Sequence, residues 1–162
     1  MGEASKHGRW VEIGKIMGAI PVKMGVLNLL LIVTDKALIL ASIKTSLLKT
    51  LIMPRGVSRL MEARALVKLA KMSPDELAKY LGEHKGEISF LGFITRDKIV
   101  SIEFKRGFLG IGLVKLSIHT VDGKKIDLSL IYGKGTGISK DEAVNNALEK
   151  IQSLGVKIEK KI

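Results

Sequence analysis

The sequence contains no cysteine, and its aromatic residues are limited to four phenylalanines, two tyrosines and one tryptophan. Without thiols, the chain has no disulfide framework, no cysteine-based zinc site and no thiol nucleophile. No aromatic residue alternates with basic residues as a base-stacking surface for nucleic acid requires. These absences exclude thiol chemistry and weigh against recognition of nucleic acid by stacking.

Long uninterrupted apolar runs are absent as well. The longest, residues 26–43, is broken by Asn28, Asp35 and Lys36, and each half is too short to cross a bilayer as a helix. The first ten residues have no apolar core, so we expect no signal peptide there. We therefore expect a cytoplasmic protein, at most peripheral to a membrane. Glutamine occurs once while lysine, glutamate and isoleucine abound, a composition typical of thermophiles.

Positive charge is what the chain has in excess, since its formal net charge is +11. Such a chain is attracted to polyanions: nucleic acid, anionic lipid headgroups or an acidic partner. The alternative is a lysine-rich solvated surface that binds nothing. A length of 162 residues and a hydrophobic fraction of 46% fit one folded domain spanning 1–162, and the chain has no internal repeat or linker.

Apolar periodicity predicts three strands in the first third of the chain. The first runs from about residue 10 to residue 20 and ends at Pro21, which has no amide hydrogen to donate to a ladder. The second, residues 26–33, is apolar on both faces, so we expect a central strand covered on both sides. A polar break at residues 34–36 joins it, as a hairpin, to the third strand at residues 37–43.

Helical spacing replaces this alternation between residues 44 and 84, which we interpret as a helical insert. A first short helix ends at Pro54 and carries Leu47, Leu48, Leu51 and Ile52. A second covers residues 55–72. The third starts at Ser73, whose hydroxyl caps a helix opened by Pro74, and ends at Gly82.

Period two returns from residue 87 and continues to residue 130. In the last hairpin, a three-residue loop at residues 121–123 pairs Ile118 with Ile126 and requires Gly123 in the left-handed conformation, whereas a two-residue turn would mix the faces. The final helix begins at Ser139, where Glu142 three residues on completes a capping box. Its apolar stripe must pack against the sheet.

Three segments resemble known sequences. Residues 33–39 (Val-Thr-Asp-Lys-Ala-Leu-Ile) resemble a hairpin of GRAM and bacterial PH-like domains, and residues 97–103 and 116–125 resemble their later strands. The resemblance implies an α+β fold: a PH-like antiparallel split barrel of about seven strands, with a C-terminal helix closing one open end. The insert 44–84, between strands 3 and 4, departs from this pattern. Residues 21–25 also carry a single cation, Lys23, where phosphoinositide-binding members have several.

The insert is the most basic part of the chain. From residue 44 to residue 71 it has seven basic residues and one acid, Glu62. This charge is suited to an anionic lipid surface or to nucleic acid, and the alternative is a solvated helix face. The candidate contacts are Arg55, Arg59, Arg64, Lys68 and Lys71. On a helical wheel, the first two lie nearly opposite the last three, so the charge does not form one stripe.

A second group of cations lies near predicted hairpin ends and could form a basic rim. It consists of Lys105, Arg106, Lys115, Lys124 and Lys125. Basic residues at such places also serve as ordinary protection of sheet edges, and we favour that interpretation.

The remaining motifs do not indicate catalysis. The glycine-rich segment 133–137 lacks the Gly-Lys-Ser/Thr ending of a Walker A motif, and a flexible link into the last helix is favoured over an anion site. His7, His84 and His119 have no metal-ligand spacing, and nothing supplies a nucleophile beside them. We therefore expect no enzyme activity, no catalytic residue, no metal and no cofactor.

The sequence thus predicts a non-enzymatic PH-like binding module that docks to an anionic membrane surface or to a protein partner. Two alternatives remain open. A nucleic-acid-binding accessory protein would show affinity that falls steeply with salt. A self-assembling structural domain, using an exposed apolar face of the insert or an open barrel edge, would show a mass that depends on concentration.

Overall fold

The computed structural model describes residues 14–44, 47, 59–107 and 112–162. Eight strands lie in these ranges: β1 (Ile16–Met24), β2 (Leu27–Thr34), β3 (Ala37–Ile43), β4 (Ile88–Thr95), β5 (Ile99–Lys105), β6 (Lys115–Thr120), β7 (Lys125–Leu130) and β8 (Lys157–Lys161). Three α-helices accompany them within the same ranges: α1 (Arg59–Ala70), α2 (Pro74–Glu83) and α3 (Lys140–Gln152). Of the first predicted insert helix only Leu47, which is buried, belongs to the described residues.

The strands form one open sheet in the order β4-β3-β2-β1-β7-β6-β5-β8. Every neighbouring pair is antiparallel except β5 and β8, which run parallel. The pairing of β1 with β7 joins the first four strands to the later ones. The α+β prediction with a C-terminal helix is confirmed, whereas the predicted count of about seven strands is wrong by one.

The first strand does not end at Pro21, as the sequence predicted, but continues to Met24. The Pro21 carbonyl accepts a hydrogen bond from the Ile131 amide, so Pro21 directs its backbone polar groups toward β7. The β1–β7 ladder covers only Val22 and Lys23. Pro21 therefore lies just outside this ladder, where no amide hydrogen is needed for pairing, and the strand tolerates the proline.

The sheet has an apolar core on each face. The inner core is enclosed by both halves of the sheet and by α3; its members include Leu29, Leu31, Ile102, Phe104, Leu116 and Ile151. The outer core lies between β1–β3 and the insert helices; its members include Leu30, Ile32, Ile39, Leu66, Leu69 and Leu77. The prediction that the second strand is covered on both sides is confirmed, and the insert provides the outer cover.

Several local predictions are confirmed at the level of single residues. Ser73 caps α2 through the Glu76 amide, although this helix ends at Glu83 and includes Gly82. In the β6–β7 hairpin, Ile118 pairs with Ile126 and Gly123 has a φ of 83°. The capping box of α3 is present at its first turn. None of the helices in the described ranges combines the length and the apolar character of a membrane span.

Candidate functional site

The turn between β1 and β2 exposes apolar side chains. Gly25 has a φ of 64°, which glycine adopts without strain and which reverses the chain within two residues. The next two side chains, Val26 and Leu27, are 65% and 52% exposed. Two adjacent apolar side chains this exposed at the tip of a turn make the tip a candidate contact surface.

The first turn of α1 lies against this tip. The Arg59 guanidinium donates to the Val26 carbonyl at 3.4 Å, and the Asn28 amide donates to the Arg59 carbonyl at 3.0 Å. Leu60, the next residue, is half exposed, and its side chain lies against Gly135. The insert therefore adds one cation, Arg59, to a turn whose own cation is Lys23.

Strand register places further cations in line with Lys23. Residues that pair directly across strands share one face of a sheet, and neighbouring strands lie about 4.8 Å apart. From β8 through β5, β6 and β7 to β1, one such row reads Lys161, Lys105, Lys115, Ser129 and Lys23. These five positions span four strand intervals, or about 19 Å. We call this row, with the β1–β2 turn and Arg59, the β1–β2 end.

Glu103 partly neutralises the positive charge at the β8 side of this row. Glu103 is almost fully buried, and its carboxylate lies 2.7 Å from the Lys161 ammonium and 3.4 Å from that of Lys105. The hydrogen bond from Lys161 holds the pKa of Glu103 below its usual range, and the same bond raises the pKa of Lys161. Lys23, three strands away from Glu103, therefore presents its charge more openly to a ligand.

The other predicted contacts of the insert are dispersed. Arg64 and Lys68 are exposed along the outer side of α1. The Lys71 ammonium donates to the Gly137 carbonyl at 2.7 Å, beyond the far end of a helix that rises about 18 Å. Arg55 lies outside the described residues. The structure thus brings Arg59 to the β1–β2 end and leaves Arg64, Lys68 and Lys71 away from it.

The predicted basic rim is divided between the two ends of the strands. Lys105 and Lys115 pair with each other at the β1–β2 end, and Arg106 follows directly after β5. Lys124 and Lys125 lie at the other end of β6 and β7 from Lys115, in the hairpin that joins these two strands. There Lys124 pairs with Asp122 at 3.8 Å and Lys125 with Asp127 at 3.5 Å. These two ion pairs fit the protective interpretation for that hairpin and not a basic rim.

The glycine-rich segment before α3 forms a closed loop. The Gly133 amide donates to the Ile138 carbonyl at 2.9 Å, and the buried Thr136 hydroxyl lies 2.7 Å from the Gly133 carbonyl. Hydrogen bonds within the loop therefore occupy the Gly133 backbone groups and the Thr136 hydroxyl. Across the described part of the chain, no three His, Asp or Glu side chains come together as a metal site.

Two features of this end differ from the sequence-based expectation: Arg59 was expected to lie with the other insert cations, and β8 was not predicted. Arg59 was grouped with the other insert cations because nothing local links it to residue 26, which lies 33 positions earlier. The strand β8 carried a weak signal: Val156 and Ile158 alternate after Gly155, whose φ is 76°. A comparison of the chain with protein-family models, with curated proteins and with solved structures finds no match.

Proposed function

We propose that this chain is a PH-like binding module. The support is its architecture: strands β1–β4 follow one another across half of the sheet, β7 returns beside β1, and α3 packs on the inner core after β7. The insert between β3 and β4, and the parallel strand β8, are additions to that plan. A fold of this kind supports many functions, so the function is argued from the surface and not from the fold.

The function that the geometry supports best is docking to an anionic membrane surface through the β1–β2 end. A single observation carries this proposal: an exposed apolar turn, Val26 and Leu27, lies beside the cations Lys23 and Arg59. Apolar side chains gain free energy by entering the interfacial region, and flanking cations are attracted to anionic headgroups. Lys115 and Lys105 extend the positive charge from Lys23 across the neighbouring strands of the sheet.

Nucleic acid is a weaker candidate for the same surface. Bases stack on aromatic rings, and the exposed aromatic side chains in the described ranges, Phe90 and Phe93, lie on the uncharged strand β4. Val26 and Leu27 offer neither stacking nor hydrogen bonds to bases. A protein partner with an acidic rim around an apolar pocket would fit the chemistry of the turn, but the width of the basic row favours a broad anionic surface.

Co-sedimentation with vesicles tests the proposal. We expect the protein to bind vesicles that contain anionic lipid and not neutral ones, with weaker binding as salt rises. The variant Arg59→Glu should lose roughly 30-fold in affinity, because each charge near an anionic surface contributes about 1 kcal/mol and the change removes one and adds its opposite. The double variant Val26→Asp and Leu27→Asp should lose more, since it also removes the inserted side chains.

Matched controls separate this surface from general charge. Arg64→Glu changes the net charge as Arg59→Glu does, but on the part of α1 away from the turn. Lys79→Glu makes the same change of charge on α2, at a side chain that is 80% exposed. Both controls should bind vesicles within about threefold of the wild type. Equal binding to neutral and anionic vesicles, or equal losses in the controls, would refute the proposal.

A further inference from the structure

The inner core contains a cavity of about 50 Å³. The described residues that line it come from both halves of the sheet: β2, β3 and β4 on one side, β6 and β7 on the other. They are Leu31, Leu38, Leu40, Gly92, Ile94, Ile118, Ile126 and Leu128. The cavity therefore lies where the two halves of the sheet face each other.

The chemistry of the cavity limits what can fill it. Its surface is almost wholly apolar, since the side chains that line it are those of leucine and isoleucine. A buried water molecule needs two to four polar partners, so a cavity of this kind stays dry. The group that occupies it must be apolar and cannot depend on hydrogen bonds for its recognition.

The volume limits the occupant further. A cavity of about 150 Å³ with a comparable apolar lining binds one benzene molecule. By proportion, about 50 Å³ has room for about a third of a benzene ring, or roughly two carbon atoms. The end of an unbranched alkyl chain has this size, whereas a ring or a branched end is too wide.

Gly92 keeps part of this space open. A bulge at Leu91 places Gly92 opposite Leu40, and the φ of Gly92 is not in the left-handed region. A Cβ added at Gly92 would lie 3.7 Å from the Leu40 Cβ, an ordinary contact distance. Neither the backbone nor crowding therefore requires glycine here. Glycine weakens a strand interior, and it often marks a position that a ligand approaches closely.

The lining changes from partly exposed residues to buried ones. Leu40, Gly92, Ile94 and Ile126 are half-buried, whereas Leu31, Leu38, Ile118 and Leu128 are buried. An alkyl chain that passes the first four residues would place its end on the last four. The remainder of the chain and any polar head group would stay on the solvent side, where the net charge of +11 favours an anion.

We propose that this cavity binds the end of an unbranched alkyl chain whose other end carries an anionic group, as in a fatty acid or a single-chain anionic lipid. Its terminal carbons contact the buried leucine and isoleucine side chains, and the anionic group remains in water. The site is separate from the β1–β2 end, because no residue of that end is among the eight that line the cavity.

An NMR titration of protein labelled at its isoleucine, leucine and valine methyl groups tests the proposal. Heptanoate should shift the methyl signals of Ile118, Ile126 and Leu128 along one saturating curve that Val26 and Leu27 do not follow. Heptanoate and a lysophosphatidylglycerol with a hexanoyl chain distinguish the two sources of such a chain, since the tighter ligand identifies the source. Shifts that do not saturate, or shifts confined to Val26 and Leu27, would overturn the proposal.

Two matched ligands test the shape and the charge. Cyclohexanecarboxylate has the same number of carbon atoms and the same head group as heptanoate, but a ring replaces the chain. Its affinity should be at least about 10-fold lower, because each buried methylene contributes about fourfold and two are lost. Hexylammonium carries the same alkyl chain with the opposite charge and should bind more weakly than heptanoate at low salt. Equal affinities for the chain and the ring would overturn the proposal.

Gly92→Ala tests the same site without a loss of stability, since its Cβ fits the space. The added methyl group occupies part of the cavity, so the affinity for heptanoate should fall about fourfold or more. Gly86→Ala is the matched control, because no atom of the described residues lies within 4 Å of a Cβ added there, and it should bind as the wild type does. Thermal unfolding establishes that both variants are folded. Unchanged affinity in Gly92→Ala, or equal losses in both variants, would overturn the proposal.

Discussion

Replacing Leu66 by alanine should lower the stability of the whole domain, although this residue belongs to the insert. Leu66 is buried in the outer core, where α1 covers the faces of Leu30 and Ile32 on β2. If the insert were an independent element, Leu66→Ala would destabilise the insert alone. If the insert is part of the core, the cavity lowers the free energy of unfolding of the whole protein.

The magnitude follows from the burial. A fully buried leucine replaced by alanine costs about 2–5 kcal/mol, through lost transfer free energy and the cavity left behind. The free energy of unfolding of a single domain is about 5–15 kcal/mol, so this one substitution removes a large part of the stability. With a urea dependence of about 2 kcal/mol per molar, the unfolding midpoint should fall by about 1–2.5 M.

Urea denaturation followed by far-ultraviolet circular dichroism measures this shift. The control is Arg64→Ala, two residues away on the exposed side of the same helix, which should change stability by less than about 0.5 kcal/mol. A single transition with an unchanged slope indicates that insert and sheet unfold together. A loss below about 1 kcal/mol for Leu66→Ala, or two separate transitions, would refute the reasoning. It also follows that a chain lacking residues 44–84 should not fold, because the outer face of β1–β3 would be exposed.

Two further predictions concern the inner core and the polar face. Gly92 borders an apolar cavity of about 50 Å³, and its φ is not in the left-handed region. A Cβ added at Gly92 would lie 3.7 Å from the Leu40 Cβ, an ordinary contact distance. Gly92→Ala should therefore raise the free energy of unfolding by about 0.5–1 kcal/mol, and a lower Tm in thermal unfolding would contradict this. The Ser117 hydroxyl donates to Asp127 and holds the pKa of that carboxyl below its usual range. Because this pKa is lowered on folding, the bond stabilises the protein above about pH 4 and its contribution is lost as pH falls through the folded pKa of Asp127. Ser117→Ala should therefore raise that pKa, as measured by carboxyl carbon NMR, and an unchanged value would contradict the assignment.

Local chemistry made much of the fold predictable. The β6–β7 register followed from matching apolar faces, because a slip of one residue would have turned Ile118 away from Ile126. The covering of β2 on both faces followed from its apolar residues at odd and even positions alike. In each case the deciding residues are close in sequence, so the pattern itself contains the information. The expectation that α3 packs its stripe on the sheet was met for the same reason.

Long-range pairing was not predictable in the same way. Periodicity assigns a residue to a face but does not say which strand lies beside it. Lys23 stands beside Ser129, more than a hundred positions later, and only this pairing aligns Lys23 with Lys115. The prediction that β1 ends at Pro21 was wrong for a related reason. The missing amide hydrogen of Pro21 would break the ladder only if β7 were paired there, and the sequence does not show where that pairing ends. The candidate site consists largely of such long-range neighbours, which is why the sequence located the basic residues but not their grouping.

Helix α1 contributes to stability and to the proposed docking surface through different residues, which makes the two contributions separable. Its buried side, including Leu66 and Leu69, packs on the outer face of the sheet, while Arg59 in its first turn reaches the β1–β2 turn. An exposed arginine whose bond to the Val26 carbonyl is 3.4 Å long adds little to stability. Leu66→Ala should therefore lower the unfolding midpoint while the folded protein keeps its affinity for anionic vesicles. Arg59→Glu should lower the affinity for anionic vesicles and leave the unfolding midpoint unchanged. If both properties changed together in both variants, loss of structure and not loss of a contact would explain any loss of binding.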